Sequence, residues 1–299
     1  AYTKLLVDAM PLLETTRTPD QTRKDPPAVE VTSLHKIYGV GSKQVHALKD
    51  ANFILKRGET LGVVGESGSG KSTLAKTLIR LEDPTSGSVK INNSDFLALS
   101  GPDLDKARMN IQMIFQDPFG SLNPCQTVEY MVTRGLLLQG VKPSEVRKRA
   151  VTLLDQVGLG EQSLKRKPIN FSGGQRQRIG IARALSMAPD VVVADESVSA
   201  LDLSVQKQVL RLINSLQTKY KMAIIFITHD LRVAAQISDY ITVMEKGVMV
   251  EFGSAEQVFN KPKHDYTKKL LNAAPGQNWT PPRLTPDEAT RIAKELELL

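Results

Sequence analysis

The chain has 299 residues, 41% hydrophobic and 24% charged, enough for a buried core in one large domain or two modest ones and unlike a disordered or collagen-like chain. No run approaches the roughly 18 to 20 uncharged apolar residues of a membrane span, and the single Cys125 leaves no partner for an intramolecular disulfide or a cysteine-bound iron–sulfur group within the chain. The net charge of +7 is local: between Lys142 and Arg183 ten basic residues face three acidic ones, which suits phosphates, nucleic acid, an anionic membrane face or a plain solvated helical face.

Residues 1–11 are too short and too mixed for a secretory signal and read as a fragment boundary. Residues 12–28 combine Pro, Thr and alternating charge without periodicity, which predicts a linker. Short strands are expected over 29–32 and 47–55, around a Gly39-Val40-Gly41 turn. Apolar runs at 60–64, 111–115, 191–194, 223–228 and 240–245 then alternate with helical stretches, predicting an α/β fold with a mainly parallel sheet. From about 117 to 185 strand signals are missing, so an inserted helical subdomain is expected, with helices over 144–156 and 174–185. Its basic residues are not interleaved with aromatics, as single-strand binders require.

Residues 2–11 and 266–275 share six identities in ten positions without gaps. This repeat predicts that residues 1–11 are the tail of an upstream copy of the same domain, and that the copy at hand spans 29–275. In the remaining 276–299, Thr285-Pro286-Asp287-Glu288 forms a capping box ahead of a short helix with Ala289, Ile292, Ala293, Leu296 and Leu299 on one face.

Three motifs carry chemistry. Gly65-Glu66-Ser67-Gly68-Ser69-Gly70-Lys71-Ser72-Thr73 fits the phosphate-loop pattern and lies between an apolar strand and a helical segment. Its glycines let backbone N–H groups curl around phosphate oxygens; Lys71 would bridge the β- and γ-phosphates and the Ser72 hydroxyl would hold Mg²⁺. Val191 to Glu196 is an apolar strand ending in two carboxylates, Asp195 for Mg²⁺ through water and Glu196 to orient the attacking water. In Phe171-Ser172-Gly173-Gly174-Gln175 a serine and two glycines open a helix whose free N–H groups suit a second phosphate. The same residues also satisfy a plain capping box, since Gln175 stands three after Ser172.

The order phosphate loop, Gln116, Ser-Gly-Gly-Gln, Asp195-Glu196, Ser-Ala-Leu-Asp at 199–202 and His229 resembles the ATP-binding-cassette ATPases over roughly 29–275. The runs Phe115 to Pro124 and His264-Asp265-Tyr266-Thr267 are similar to the oligopeptide and dipeptide importer subfamily, in which fused pairs of cassettes also occur. The resemblance implies a P-loop NTPase-type sheet with an antiparallel β subdomain and an inserted helical subdomain. It implies that Tyr38 stacks on adenine, that Gln116 senses Mg²⁺ and the attacking water, and that His229 contacts the γ-phosphate and holds Glu196. Asp202 would belong to a loop communicating between two sites. Ser172, Gly173, Gly174 and Gln175 would complete the site of an opposite cassette, so that two cassettes sandwich two ATP molecules.

Further partners so implied are integral membrane permease subunits and, indirectly, an extracytoplasmic solute-binding protein. The subunit would then be peripheral on the cytoplasmic face of the inner membrane, with no nucleic-acid partner. Two departures stand out: Ser197 where the family usually has Pro, and Phe171 for the commoner Leu. The alternative class is a soluble cassette ATPase acting on nucleic acid or ribosomes, which the basic stretch would suit. Only about 100 residues separate Lys71 from Ser172, too few for the coiled coil of DNA-repair relatives, and residues 12–28 are too short and Pro-broken for the linker helix of translation relatives. A P-loop kinase leaves Ser172 to Gln175 without a role.

Overall fold

Apolar, β-branched runs bounded by turns need cover on both faces, and the tertiary structure supplies it. The computed structural model describes residues 15, 17–19, 25–199 and 201–273. Among these, ten strands join one sheet: β1 (Pro27–Tyr38), β2 (Val45–Lys56), β3 (Thr60–Val64), β4 (Ser86–Ile91), β5 (Ser94–Asp95), β6 (Ile111–Ile114), β7 (Val191–Asp195), β8 (Ala223–Ile227), β9 (Tyr240–Glu245) and β10 (Val248–Ser254). Their order is β5-β4-β1-β2-β10-β9-β3-β8-β7-β6.

Strands β9, β3, β8, β7 and β6 are parallel neighbours, and every residue of β3, β7 and β8 is buried. Strands β1, β2, β4 and β5 pair antiparallel. The β9–β10 hairpin joins the two regions, meeting β2 at a single parallel bridge between Val248 and Lys49. The antiparallel subdomain therefore continues the parallel sheet instead of standing apart from it.

The helices are α1 (Lys71–Leu78), α2 (Gly101–Met109), α3 (Val128–Leu138), α4 (Pro143–Gln156), α5 (Gly173–Leu185), α6 (Leu203–Tyr220), α7 (Leu231–Ile237), α8 (Ala255–Asn260) and α9 (Asp265–Asn272). Alternation along the central strands sorts the core into two sides. Val192, Ala194, Ile224 and Phe226 pack with α3 to α6, whereas Val191, Val193, Ile225 and Ile227 pack with α1 and the antiparallel strands. Each Val, Ile and Phe side chain among these stabilises the fold by roughly 1.5 to 3 kcal/mol relative to exposure.

Between β6 and β7 the described chain holds helices and no strand. Several of its arginines bond within that layer. Arg147 pairs with Glu129 and Glu161, Arg178 donates to the Val157 carbonyl, and Arg183 donates to the Ser121 carbonyl beneath the Phe115 ring.

Strand β1 is much longer than the run expected over 29–32. Ser33 has a φ of 44° and the register slips between Val31 and Leu34, so a bulge breaks the two-residue alternation there. Strands β4 and β10 also escaped the sequence reading. The β10 hairpin turns at Lys246 and Gly247, with φ values of 48° and 84°, the pair of left-handed residues that a tight hairpin needs. The expectations for 1–11 and 276–299, with the helix over 289–299, lie outside the described residues. Within the expected linker, Arg17 donates to Thr60 Oγ1 at 3.0 Å, Asp239 at 3.2 Å and Gln217 at 2.6 Å, at the opposite end of β3 from Gly65. No helix among the described residues is long and apolar enough to cross a membrane.

Candidate functional site

A cleft of about 620 Å³ opens where β3 ends, lined by Ser67, Gly68, Gly70, Lys71, Ser72 and Thr73 together with Gln116 and Glu196. The loop's shape follows from its glycines: Gly65, Gly68 and Gly70 have φ values of 153°, 79° and 106°, conformations that side chains resist. A Cβ on Gly70 would lie 2.5 Å from the Ala47 carbonyl oxygen, and one on Gly65 would lie 2.3 Å from that of Met244. Glu66 and Ser69 are the remaining loop residues, and Ser69 N–H donates to the Glu66 carbonyl at 3.2 Å.

Lys71 is 5% exposed, and its Nζ donates to the carbonyls of Gly65 at 2.7 Å and Glu66 at 2.8 Å. Burial pushes the Lys71 pKa down, while Glu196, Asp195 and Glu66 act in the opposite direction. Asp195, also 5% exposed, has its pKa pushed up, first by burial. Ser72 Oγ stands 3.5 Å from its Oδ1.

Glu196 lies just past β7 with a φ of 41°, its N–H bound to the Ile227 carbonyl at 2.9 Å. Both carboxylate oxygens are engaged: Gln116 Nε2 donates to Oε2 at 2.7 Å and His229 Nδ1 meets Oε1 at 3.2 Å. Three loops after three different strands thus converge on one carboxylate.

A family model described as "ABC transporter" matches residues 48–199, and one described as "Oligopeptide/dipeptide transporter, C-terminal region" matches 250–293. The oligopeptide transport ATP-binding protein OppF of Streptococcus pyogenes serotype M1 is 47% identical over 253 residues, which are 83% of this chain and 81% of the relative. The chain belongs to the ABC transporter family.

A protein of Brucella abortus named for peptide import ATP binding is 43% identical over 250 residues, covering 83% of this chain and 79% of the relative. Among solved cassettes, the dimeric post-hydrolysis state of MJ0796 bound to ADP and Pi matches with a TM-score of 0.69 and 32% identity, over 76% of this chain and 98% of that one. The cassette cbiO1 of Clostridium perfringens, part of the ABC transporter complex cbiONQ, matches with a TM-score of 0.70 and 28% identity, over 91% and 100%. ABC cassettes are ATPases, and the fold and activity class expected for this chain stand accordingly.

Not every residue expected at the site lines the cassette's cleft. Tyr38 ends β1 opposite Val45; its hydroxyl donates to Glu82, and Lys36 Nζ lies 5.0 Å from its ring centre. The cleft wall beside it is built by Gln44, Val45, His46, Ala47 and Lys49. Ser172 to Gln175 lie outside the cleft. Ser172 N–H donates to Gln175 Oε1 at 3.0 Å and Gln175 N–H to Ser172 Oγ at 3.4 Å, a complete capping box for α5. Asp202 caps α6 by accepting from the Val205 and Ser204 amides at 3.0 and 3.1 Å, and the Val205 amide, followed by the Ser204 hydroxyl, holds its pKa below the usual range.

Sequence reasoning missed the β9–β10 turn as part of the site. Lys246 and Gly247 line the cleft; Gly247 N–H donates to the Ser69 carbonyl at 2.9 Å, and its own carbonyl accepts from Lys49 N–H at 2.8 Å. The Lys-Gly pair after an apolar strand was the available signal for a turn. Nothing local tells that the turn braces a loop some 180 residues earlier.

Proposed function

We propose that this chain is the ATP-hydrolysing subunit of an importer of peptides or related small solutes, working as a pair of cassettes on the cytoplasmic face of the cell inner membrane. The observation that carries the reading is the division of the motifs: Lys71, Gln116 and Glu196 share one cleft, while Ser172 to Gln175 lie outside its lining and Ser172 is exposed. One chain thus holds half of each reaction centre, and a second cassette supplies the signature residues that cover the γ-phosphate.

In this reading Lys71 leaves the Gly65 and Glu66 carbonyls for the β- and γ-phosphates, and Glu196 accepts a proton from the attacking water as Gln116 and His229 orient it. Mg²⁺ fits the donor set, since the Ser72 hydroxyl and Asp195 carboxylate are hard oxygen ligands facing each other; when bound it neutralises phosphate charge. Adenine would stack near Tyr38 at the β1–β2 hairpin. Asp202 would lie at the contact of the two cassettes. Loss of the γ-phosphate contacts lets the pair separate, the two-state change that membrane permease subunits follow and a solute-binding protein feels indirectly.

Peptide-type cargo is supported by the C-terminal region match and by the OppF relative. The absence of a nucleic-acid role is supported by the internal bonding of Arg147, Arg178 and Arg183. The test is ATPase rate per chain against protein concentration: it should rise with concentration toward a plateau, and a rate independent of dilution in a strictly monomeric sample would sink the shared site.

A further inference from the structure

The His264-Asp265-Tyr266-Thr267 run takes no part in lining the cleft, yet its tyrosine reaches the phosphate loop. The Glu66 N–H donates to the Tyr266 hydroxyl oxygen at 3.3 Å. That N–H shares a peptide group with the Gly65 carbonyl, which accepts Lys71 Nζ at 2.7 Å. In a trans peptide the N–H and C=O point opposite ways, so seating the amide on Tyr266 aims the carbonyl at Lys71. Gly65, with a φ of 153°, has no side chain to resist a flip of this peptide.

Tyr266 is itself held from three directions. It packs against the cluster that contains Val64, Val243 and Leu271; its amide donates to the His264 ring at 3.2 Å; and Glu251 on β10 accepts the Lys263 and His264 amides at 2.8 and 3.0 Å. Val64 is the residue that leads into the loop. The C-terminal segment and the loop therefore share a core as well as a hydrogen bond.

We propose that Tyr266 is a positioning residue for nucleotide binding: its hydroxyl fixes the orientation of the Gly65–Glu66 peptide and so keeps the phosphate loop in its cradle shape, so that the segment after β10 sets the affinity of the loop. A loop held ready binds more tightly than one that must be ordered by its ligand. The inference rests on residues 65–73 being the ATP site.

The experiment uses the full 299-residue chain and a fluorescent N-methylanthraniloyl ATP. Tyr266→Phe keeps the ring and removes the acceptor; it should raise the dissociation constant roughly three- to tenfold, leave the maximal turnover and melting temperature near parental, and speed hydrogen exchange at the Glu66 amide. Glu66→Pro removes the donor, so adding Tyr266→Phe to it should change nothing further. Parental affinity or parental Glu66 exchange in Tyr266→Phe overturns the proposal, as does an equal loss of affinity in the Glu66→Pro background, which would be generic packing. Failure of the parent chain to bind the probe would instead bring down the ATP-site reading and this inference with it.

Discussion

Glu196 sits in a left-handed backbone conformation that a non-glycine residue adopts at an expense of roughly 1 to 3 kcal/mol. Its amide is tied to Ile227 and its carbonyl accepts from Ser199 N–H at 3.1 Å, so the surroundings impose the geometry on the residue. The position matters because the carboxylate is thereby presented between Gln116 and His229 at the cleft. Glu196→Gln keeps size and hydrogen-bonding reach but cannot take a proton. Nucleotide affinity should stay within about twofold while single-turnover hydrolysis falls by about 10² to 10⁴, the usual worth of a general base; hydrolysis at the parental rate would remove Glu196 from that role. The carboxylate pair was legible from residues 191–196 alone. That His229 holds Glu196 followed only from the family resemblance, and the Gln116 bond to the other carboxylate oxygen was not foreseen, because three loops far apart in sequence have to meet.

Helix ends and the β10–α9 connection show how local chemistry sets element boundaries. Helix α6 stops at Lys221, whose φ of 51° and ψ of 32° are those of a left-handed cap, a place that glycine fills without the Cβ penalty. Lys221→Gly should stabilise the chain by about 0.5 to 1 kcal/mol, read as a higher urea midpoint with unchanged slope. Glu251 illustrates the opposite dependence on charge. Burial alone would push its pKa up, but the neighbouring Thr267 hydroxyl and the Lys263 and His264 amides outweigh that and hold it below the usual carboxylate range. A depressed folded-state pKa means that its contribution is present above the unfolded value, about 4.3, and is lost as the pH falls through the lower folded value. Glu251→Gln should therefore be less stable than the parent at pH 7 by about 1 to 2 kcal/mol, and the gap should shrink progressively in denaturation series taken to acid pH below the unfolded value. A gap that persists in acid would mean that packing, not charge, is what the substitution removed.

For the whole molecule, the decisive feature is how α5 and α6 are set against each other. A Cβ on Gly174 would come within 2.4 Å of Val205 Cγ1, so the second signature glycine lets the two helices approach. The capped helix starts at Ser172 and Asp202 do not line the cleft that holds the phosphate loop. Complementation follows if each reaction centre is shared. Ser172→Arg and Glu196→Gln chains, each nearly inactive alone, should recover activity on mixing, because a mixed pair retains one centre with both halves intact. Random pairing of independent sites predicts roughly a quarter of the parental rate, measured as ATP hydrolysis; no recovery in mixtures shown to contain mixed pairs would argue against sharing.

The phosphate loop, the acidic strand end, the capped signature helix and the buried parallel strands were readable in the sequence because each depends on neighbours within a few residues: glycine torsions, an apolar run, a serine three before a glutamine. Strands β4 and β10 and the true length of β1 were not: a bulge at Ser33 breaks the alternation of β1, a register shift between Met249 and Glu251 breaks that of β10, and β4 is a short run that mixes Ser, Gly and Lys with two apolar residues. Only the tertiary structure decided that Gly247 braces the phosphate loop, that Gln116 takes the second oxygen of Glu196, and that Tyr266 meets Glu66. Those contacts join residues up to 200 positions apart, and what brings them together is the burial of a shared core, which no short window of residues encodes.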